Sequence, residues 1–201
     1  SFEFLKYSME LDNKYWNERY RNFKTGWDIG YVSIALQTYF DQLLNKDLRI
    51  LVPGCGNAYE AEYLHNNQFV NTYILDYSNI AINNFKKRVN SFSSNKIIEL
   101  NFFDLNESFD IVVEQTFFCA LEIKYRESYA KKMYDLLSQN GKLVGLFFDD
   151  VFTNEGPPFG ASKEQYLNLL KPYFNILTFE KCYNSITSRI GIEFFCIAQK
   201  K

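Results

Sequence analysis

The segment Leu51-Val52-Pro53-Gly54-Cys55-Gly56-Asn57-Ala58-Tyr59-Glu60 decides the fold of this chain. A mainly apolar run, 48–53, ends in two closely spaced glycines, and a helix-compatible segment, 58–66, follows at once. This pattern is typical of a buried parallel strand that turns sharply into a helix. Glycine is expected there wherever a side chain would keep the backbone away from a ligand.

A carboxylate stands where a nucleotide-binding site requires one. Asp76 closes the next apolar run, 70–75, about twenty residues beyond Gly56. Such a carboxylate can accept hydrogen bonds from both hydroxyls of a ribose. The full dinucleotide pattern would place a glycine at position 59, which is Tyr59, so the helix is less open to a pyrophosphate. The sequence therefore predicts a site for a nucleoside without phosphates.

Length and composition favour one globular domain over 1–201, with 11–24 as an N-terminal lid helix. Aromatic residues make up 18% of the chain, and the net charge is only -2. Since no basic stripe is present, we expect no nucleic-acid partner. The longest apolar run, 143–148, is too short for a bilayer, and residues 1–20 lack a basic-then-apolar leader. We expect a cytoplasmic monomer without membrane contact.

Cysteine and histidine usage restricts the chemistry. The four cysteines show no metal-ligand spacing, so we expect no metal site, and they fit a reducing compartment. A single histidine, His65, makes Ser-His-Asp and Cys-His catalysis very difficult to assemble. We therefore predict a reaction that needs little proton shuttling.

Strand and helix patterns alternate along the chain, which predicts a mainly parallel sheet with helices on both faces. The last two strands have no helix between them, so they should pair antiparallel and give seven strands with one reversed. The predicted strands are 48–53, 70–75, 97–103, 109–114, 142–148, 174–182 and 191–199. The predicted helices are 11–24, 34–44, 58–66, 78–92, 125–138 and 162–171.

Polar residues at predicted strand ends converge on one edge of this sheet, where open α/β sheets bind ligands. Gly54, Asp76, Asp104 and Glu114 occupy such positions. Asp104 is equally compatible with a turn and with an acceptor for an adenine amino group. The apolar segment 116–121 after Glu114 fits either a core segment or a wall that desolvates a soft nucleophile.

Two further features have two interpretations each, and a third favours one. Trp16, Tyr20 and Trp27 suit lid packing or contact with an organic cation such as a sulfonium. The rigid Gly-Pro-Pro turn at 156–158 is a plain loop or a pocket lid that delivers Phe159. We interpret Arg189 with Glu193, the remaining feature, as a hairpin turn with a surface ion pair.

Together these residues resemble the thiopurine S-methyltransferase family, which uses S-adenosylmethionine and includes thiol, thiocyanate and halide methyltransferases. The likeness runs from about residue 12 to 198. It implies a Rossmann-like class I methyltransferase fold and methyl transfer to a small soft nucleophile. The matching pieces are Trp16 to Gly30, Val52-Pro53-Gly54-Cys55-Gly56 with Glu60, Asp76-Tyr77-Ser78, Thr116 to Leu121, Gly156-Pro157-Pro158-Phe159 and Arg189 to Glu193.

The resemblance also implies roles for individual residues. Phe118 and Phe159 would contact the methyl acceptor. The reaction chemistry, rather than the resemblance, makes Asp150 or Glu114 a candidate acceptor for a thiol proton. Tyr20 and Gln115 depart from the family pattern, Tyr20 replacing a tryptophan and Gln115 a tyrosine or arginine. The residues implied to bind the cofactor are Trp16, Tyr20, Trp27, Gly54, Cys55, Gly56, Asp76, Tyr77, Asp104, Leu105 and Gln115.

Two other functions share parts of this pattern. An NAD-dependent oxidoreductase has the same strand, glycine turn and distal carboxylate, but Tyr59 and the lack of a hydride-partner motif count against it. A non-catalytic binding module on the same fold would not need its glycines and Asp76 intact.

Overall fold

The computed structural model describes residues 11–149, 152 and 155–201. Two helices precede the sheet. Helix α1 spans Asn13–Arg21 and begins at Asp12, whose carboxylate accepts a hydrogen bond from the Tyr15 backbone N–H at 2.8 Å. Such a cap satisfies one of the free N–H groups at a helix start. Helix α2 spans Ile34–Asp41.

The seven strands form one sheet in the order β3-β2-β1-β4-β5-β7-β6. Strand β7 runs antiparallel to both of its neighbours, and the other pairings are parallel. The predicted α/β fold with seven strands and one reversed is confirmed. The strands are β1 (Ile50–Pro53), β2 (Thr72–Asp76), β3 (Ile97–Glu99), β4 (Phe109–Gln115), β5 (Leu137–Phe148), β6 (Phe174–Lys181) and β7 (Glu193–Lys200).

Alternating side chains of the strands build two separate cores. In β1, Ile50 and Val52 face one core, whereas Leu51 faces the other. The first core is closed by α2, α3 and α4, and the second by α5 and α6. Both faces of the sheet are therefore covered, as an apolar parallel strand requires. The helices after β1 are α3 (Tyr59–Asn66), α4 (Asn79–Arg88), α5 (Arg126–Asp135) and α6 (Lys163–Leu170).

Several predicted boundaries are wrong, among them the start of β5 and the ends of β3 and α5. The third strand ends at Glu99 rather than at residue 103, because the chain then turns into a short 3-10 helix, Phe102–Asp104. Helix α5 ends at Asp135 because β5 already begins at Leu137, which pairs with Phe109. Within the described part of the chain, no helix has the length and apolarity needed to cross a membrane.

Candidate active site

The glycine turn after β1 holds three residues in the left-handed region. Gly54, Gly56 and Ala58 have φ values of +54°, +53° and +56°. A Cβ atom on Gly54 would lie 2.1 Å from the ring of Phe117, and one on Gly56 would lie 2.5 Å from the Tyr20 hydroxyl oxygen. Both positions need glycine for conformation and for space. The crowding comes from protein side chains, whereas the sequence predicted that a ligand would require it.

Asp76 fixes this turn from the end of β2. Its Oδ2 accepts a hydrogen bond from the Gly56 N–H at 2.9 Å, and its Oδ1 accepts one from the Ser78 N–H at 2.8 Å. Burial raises the pKa of the carboxyl group, and these hydrogen bonds oppose the shift. Each carboxylate oxygen retains a second lone pair. Asp76 can therefore hold the turn and still accept ligand hydroxyls.

A cavity of about 740 Å³ lies at the carboxyl edge of the parallel strands, within the size range of small-molecule sites. It extends from the ends of β2, β1 and β4 to the ends of β5 and β7, following the strand order. Most residues predicted to bind the cofactor line it. They are Trp16, Tyr20, Trp27, Gly54, Cys55, Gly56, Asp76, Tyr77 and Gln115.

Aromatic rings from α1 and the following loop close one side of the cavity. The Trp27 ring meets Trp16 edge-on with 5.5 Å between centroids, and it meets Tyr20 in the same way at 5.7 Å. Helix α1 is tied to the end of β2, because Asn17 Oδ1 accepts a hydrogen bond from the Ser78 hydroxyl at 2.7 Å. The predicted lid helix thus lies directly beside Asp76.

Two buried acceptors of the cavity wall have no hydrogen-bond partner among the described residues. Gln115 Oε1, at the end of β4, is one, and Asn57 Oδ1, in the glycine turn, is the other. The Asn57 amide nitrogen donates to Asp28, which sets the orientation of the side chain. Buried polar atoms are rarely left unpaired, so these two oxygens fit a ligand that brings its own donors.

Asp104 and Leu105 lie outside the cavity. Because β3 ends early, the chain reaches the sheet edge at Leu100 and Asn101, and these residues line the cavity instead. Asp104 is exposed, and Leu105 is buried in the core against α5. Neither residue therefore lies in the cavity, where it was predicted to bind the cofactor.

Glu114 is buried and supports the backbone rather than facing the cavity. Its Oε1 accepts hydrogen bonds from the Phe117 and Phe118 N–H groups, both at 2.8 Å, and its Oε2 accepts one from the Tyr129 hydroxyl at 2.6 Å. Burial raises the pKa of Glu114 to about 7. These bonds hold the turn in which Thr116 adopts a φ of +53°. The role of Glu114 as a proton acceptor is thus not supported by its geometry.

The two predicted acceptor contacts are also displaced from the cavity. Phe118 points into the core between Tyr129 and Phe147, and its neighbour Phe117 lines the cavity. Phe159 packs against Gly156, so Pro157 and Pro158 form the wall instead. In both cases a neighbouring residue, Phe117 or Pro158, lines the cavity instead of the predicted one. Asp150, the other proposed proton acceptor, lies outside the described residues.

Arg189 and Glu193 form a buried pair, so their interpretation as a surface pair is wrong. Their side chains are 8% and 3% exposed, and Arg189 Nη1 lies 3.4 Å from Glu193 Oε1. Because β7 is antiparallel, Glu193 pairs with Phe148 at the same edge at which the parallel strands end. The Arg189 guanidinium also donates to the Trp27 carbonyl at 2.7 Å and lies 5.2 Å from the Phe148 ring.

Arg189 is therefore a residue of the cavity to which the sequence analysis assigned no ligand contact. Glu60 is another, since it lines the cavity while its Oε1 accepts the Ser33 N–H at 3.1 Å. Burial raises the pKa of Glu60. Burial likewise raises the pKa of the Cys55 and Cys119 thiols, which keeps both in the neutral, weakly nucleophilic form.

The cavity thus has two ends. We call the residues Gly54, Gly56, Asp76 and Gln115 the glycine end. We call Phe148, Arg189 and Ile192 the arginine end.

Methyltransferases of different specificities are among the solved structures with this fold. A 1,6-didemethyltoxoflavin-N1-methyltransferase from Burkholderia thailandensis matches with a TM-score of 0.73 at 11% identity, over 95% of this chain and 88% of that one. A magnesium protoporphyrin IX methyltransferase from Synechocystis, solved with bound S-adenosylmethionine, matches with a TM-score of 0.71 at 11% identity. That match covers 98% of this chain and 100% of the other.

The class of protein follows from the fold, the glycine turn with Asp76, and the comparisons together: this is an S-adenosylmethionine-dependent methyltransferase with a Rossmann-like fold. The family model described as thiopurine S-methyltransferase matches residues 11–193. The chain belongs to this family, and its cofactor is S-adenosylmethionine.

Curated relatives cover most of the chain at modest identity. Thiocyanate methyltransferase 1 of Brassica oleracea is 29% identical over 89% of this chain and 81% of the relative. A probable thiol methyltransferase 2 of Arabidopsis thaliana is 28% identical over 78% and 71%. A thiopurine S-methyltransferase of Acinetobacter baylyi is 22% identical over 83% and 87%. These findings do not favour the oxidoreductase or the non-catalytic module.

Proposed function

We propose that this enzyme transfers the methyl group to a small, soft and negatively charged nucleophile, such as a thiolate, thiocyanate or a halide, that binds at the arginine end. The buried guanidinium of Arg189 in the wall of the cavity carries this proposal. The relatives named as thiocyanate and thiol methyltransferases support the same class of acceptor.

The glycine end is the part of the cavity that would hold the cofactor. Asp76 would bind the ribose hydroxyls, and the free oxygens of Gln115 and Asn57 would accept hydrogen bonds from its ammonium group. The aromatic wall of Trp16 and Trp27 suits a sulfonium, because aromatic faces attract organic cations. When bound, S-adenosylmethionine supplies a methyl group that is already activated for transfer.

The arginine end combines one cation with apolar walls. Phe148 lies under the guanidinium of Arg189, and Ile192, Pro157 and Pro158 complete the surface. A soft anion loses little hydration free energy on entering the arginine end, and the Arg189 guanidinium offsets the charge of the anion. Glu193 pairs with the same guanidinium, so the net positive charge at the arginine end is small. Thiols can therefore bind there as well.

The reaction needs positioning more than proton transfer. A nucleophile that arrives charged requires no general base, and His65, the single histidine, instead contacts Ser91 at 2.9 Å. Orientation at the two ends of one cavity and exclusion of water would supply the catalysis. For neutral thiols, Asp150 stays the predicted proton acceptor.

Calorimetry and an acceptor panel test this function. We expect S-adenosylhomocysteine and S-adenosylmethionine to bind at micromolar concentrations and NAD not to bind. Turnover would be measured as S-adenosylhomocysteine formed with thiocyanate, iodide, hydrosulfide, an aromatic thiol and a thiopurine. Arg189→Lys should raise KM for thiocyanate and iodide more than for the neutral thiopurine, since lysine keeps the charge but loses the planar fork.

Three outcomes would contradict the proposal. Binding of NAD with no affinity for the adenosyl compounds would remove its basis. Cofactor binding without turnover across the whole panel would point to a binding module. An equal effect of Arg189→Lys on charged and neutral acceptors would show that the guanidinium does not contact them.

A further inference from the structure

Arg19 differs from the other cationic side chains that line the cavity. Arg189 pairs with Glu193, and Lys124 pairs with Glu122 at 3.0 Å. Within residues 11–149, 152 and 155–201, no carboxylate lies within ion-pair distance of Arg19. This guanidinium therefore has free capacity for a ligand.

Two aromatic rings hold Arg19 in place. Its guanidinium carbon lies 5.5 Å from the Trp27 ring centroid and 6.0 Å from that of Tyr15. Its Nε is buried and donates no hydrogen bond to any residue that the structure describes. A guanidinium presents its donors in a fixed planar fork that matches a carboxylate. The rings thus orient a cationic fork whose Nε lacks an acceptor.

The position of Arg19 assigns it to the glycine end. Arg19 lies on α1 next to Tyr20, whose hydroxyl oxygen stands over Gly56. The same helix is bonded to the end of β2 through Asn17 and Ser78. The cation of the arginine end is instead supplied from the loop before β7, by Arg189.

Unpaired polar atoms on the two sides of the glycine end are complementary in kind. Gln115 Oε1 and Asn57 Oδ1 are acceptors, and Arg19 Nε is a charged donor. An amino-acid zwitterion needs this combination, with acceptors for its ammonium group and a cation for its carboxylate. A ligand lacking either charge would leave part of the set unpaired, which costs free energy in a buried place.

We propose that Arg19 binds the α-carboxylate of the methionine tail of S-adenosylmethionine. The inference rests on the proposed function, because it assumes the cofactor lies at the glycine end. It adds a named contact for the amino-acid tail and explains why the lid helix carries an arginine between two aromatic rings.

Calorimetry with two ligands isolates this contact. S-adenosylhomocysteine carries the amino-acid tail, whereas 5′-methylthioadenosine keeps the adenosine and thioether and lacks that tail. Arg19→Met should weaken S-adenosylhomocysteine binding roughly 10- to 100-fold, the usual loss for a hydrogen bond to a charged group. Binding of 5′-methylthioadenosine should change less than about twofold, and Arg19→Lys should restore part of the loss.

Arg21→Met is the matched control. It lies on the same helix, but its side chain is exposed and pairs with Glu18. Both ligands should bind this variant as they bind the wild type. Circular dichroism and thermal melting would confirm that each variant is folded before binding is measured.

The contrary results distinguish a failure of the Arg19 proposal from a failure of the proposed function. Normal S-adenosylhomocysteine binding to folded Arg19→Met would overturn the inference and leave the methyltransferase proposal intact. Equal losses for the two ligands would show that Arg19 supports the lid only. A raised KM for anionic acceptors with unchanged cofactor affinity would assign Arg19 to the acceptor. Failure of the wild type to bind S-adenosylhomocysteine would refute both proposals.

Discussion

The two ends of the cavity differ in how the chain brings their residues together. The glycine end is built mainly from one short stretch, in which Gly54, Gly56 and Asp76 surround a single helix. The arginine end combines Phe148, at the end of β5, with a loop that leads into an antiparallel strand. Local sequence therefore specifies the first end, and long-range sheet pairing specifies the second.

The ion pair at the arginine end shows what this difference means. In the sequence, Arg189 and Glu193 stand four residues apart between turn-like segments, as exposed pairs often do. In the fold, β7 lies between β5 and β6, and both side chains become buried. A buried pair behaves differently from an exposed one, because removing one partner leaves a charge without compensation.

The largest expected effect comes from breaking that pair. Arg189→Met should lower the free energy of unfolding by about 3–5 kcal/mol, since it leaves Glu193 buried and unpaired. Glu107→Gln, in the half-exposed pair with Arg49, should cost less than about 1 kcal/mol. Urea denaturation measures both.

A double variant sharpens the same comparison. Replacing both partners, with Arg189→Met and Glu193→Met, should recover most of the lost stability, because neither charge of the pair is then left buried without the other. A loss of less than 1 kcal/mol in Arg189→Met would show that the pair is in effect exposed. The contrast between the two ends would then disappear.

At the glycine end, the expected effect falls on binding. Asp76→Ala should weaken S-adenosylhomocysteine binding by about 1–3 kcal/mol, because the ribose hydroxyls would lose a charged acceptor. Stability should fall too, since the Gly56 and Ser78 N–H groups lose theirs. Calorimetry on the folded variant separates the effects, with Asp76→Asn as the isosteric control. Unchanged affinity in the alanine variant would place the ribose elsewhere.

The glycine end could be predicted because its chemistry follows from spacing along the chain. The strand, the glycine turn and the carboxylate twenty residues later all stand in one continuous unit. Nine of the eleven residues that the family resemblance implied as cofactor contacts line the cavity. The errors at Phe118 and Phe159 have a different origin. In each case a turn reverses which neighbour faces the cavity, and turn geometry depends on tertiary contacts such as the hydrogen bond from the Tyr129 hydroxyl to Glu114.

Glu114 holds the turn that follows β4, and its titration should be visible in the pH dependence of the free energy of unfolding. Its folded pKa of about 7 lies above its ordinary value, so the folded state binds the proton more tightly than the unfolded state. This contribution is complete below the unfolded pKa and is lost as pH rises through 7. Wild-type stability should therefore decline by roughly 1–3 kcal/mol across this window because of Glu114 alone.

Glu114→Gln tests that assignment. A glutamine oxygen can still accept from the Phe117 and Phe118 N–H groups, and its amide can donate to the Tyr129 hydroxyl. The decline between pH 5 and 8 should be shallower than in the wild type, with the remaining slope due to other buried carboxyls such as Glu60. Identical pH profiles of the unfolding free energy would assign the decline to those other groups.

The smallest expected effect concerns Asp104, where the sequence placed an adenine contact and the structure does not. Because β3 ends at Glu99, the polar residue that lines the cavity after this strand is Asn101, whose Oδ1 also accepts the Phe103 N–H at 2.9 Å. Asp104→Ala should leave S-adenosylhomocysteine affinity within about twofold, whereas Asn101→Ala should lower it and cost about 1 kcal/mol of stability as a lost cap. Calorimetric titration of each variant with S-adenosylhomocysteine shows which of the two residues contacts the ligand. A loss confined to Asp104→Ala would mean that the chain at the end of β3 rearranges around the adenine, and that the sequence spacing was the better guide.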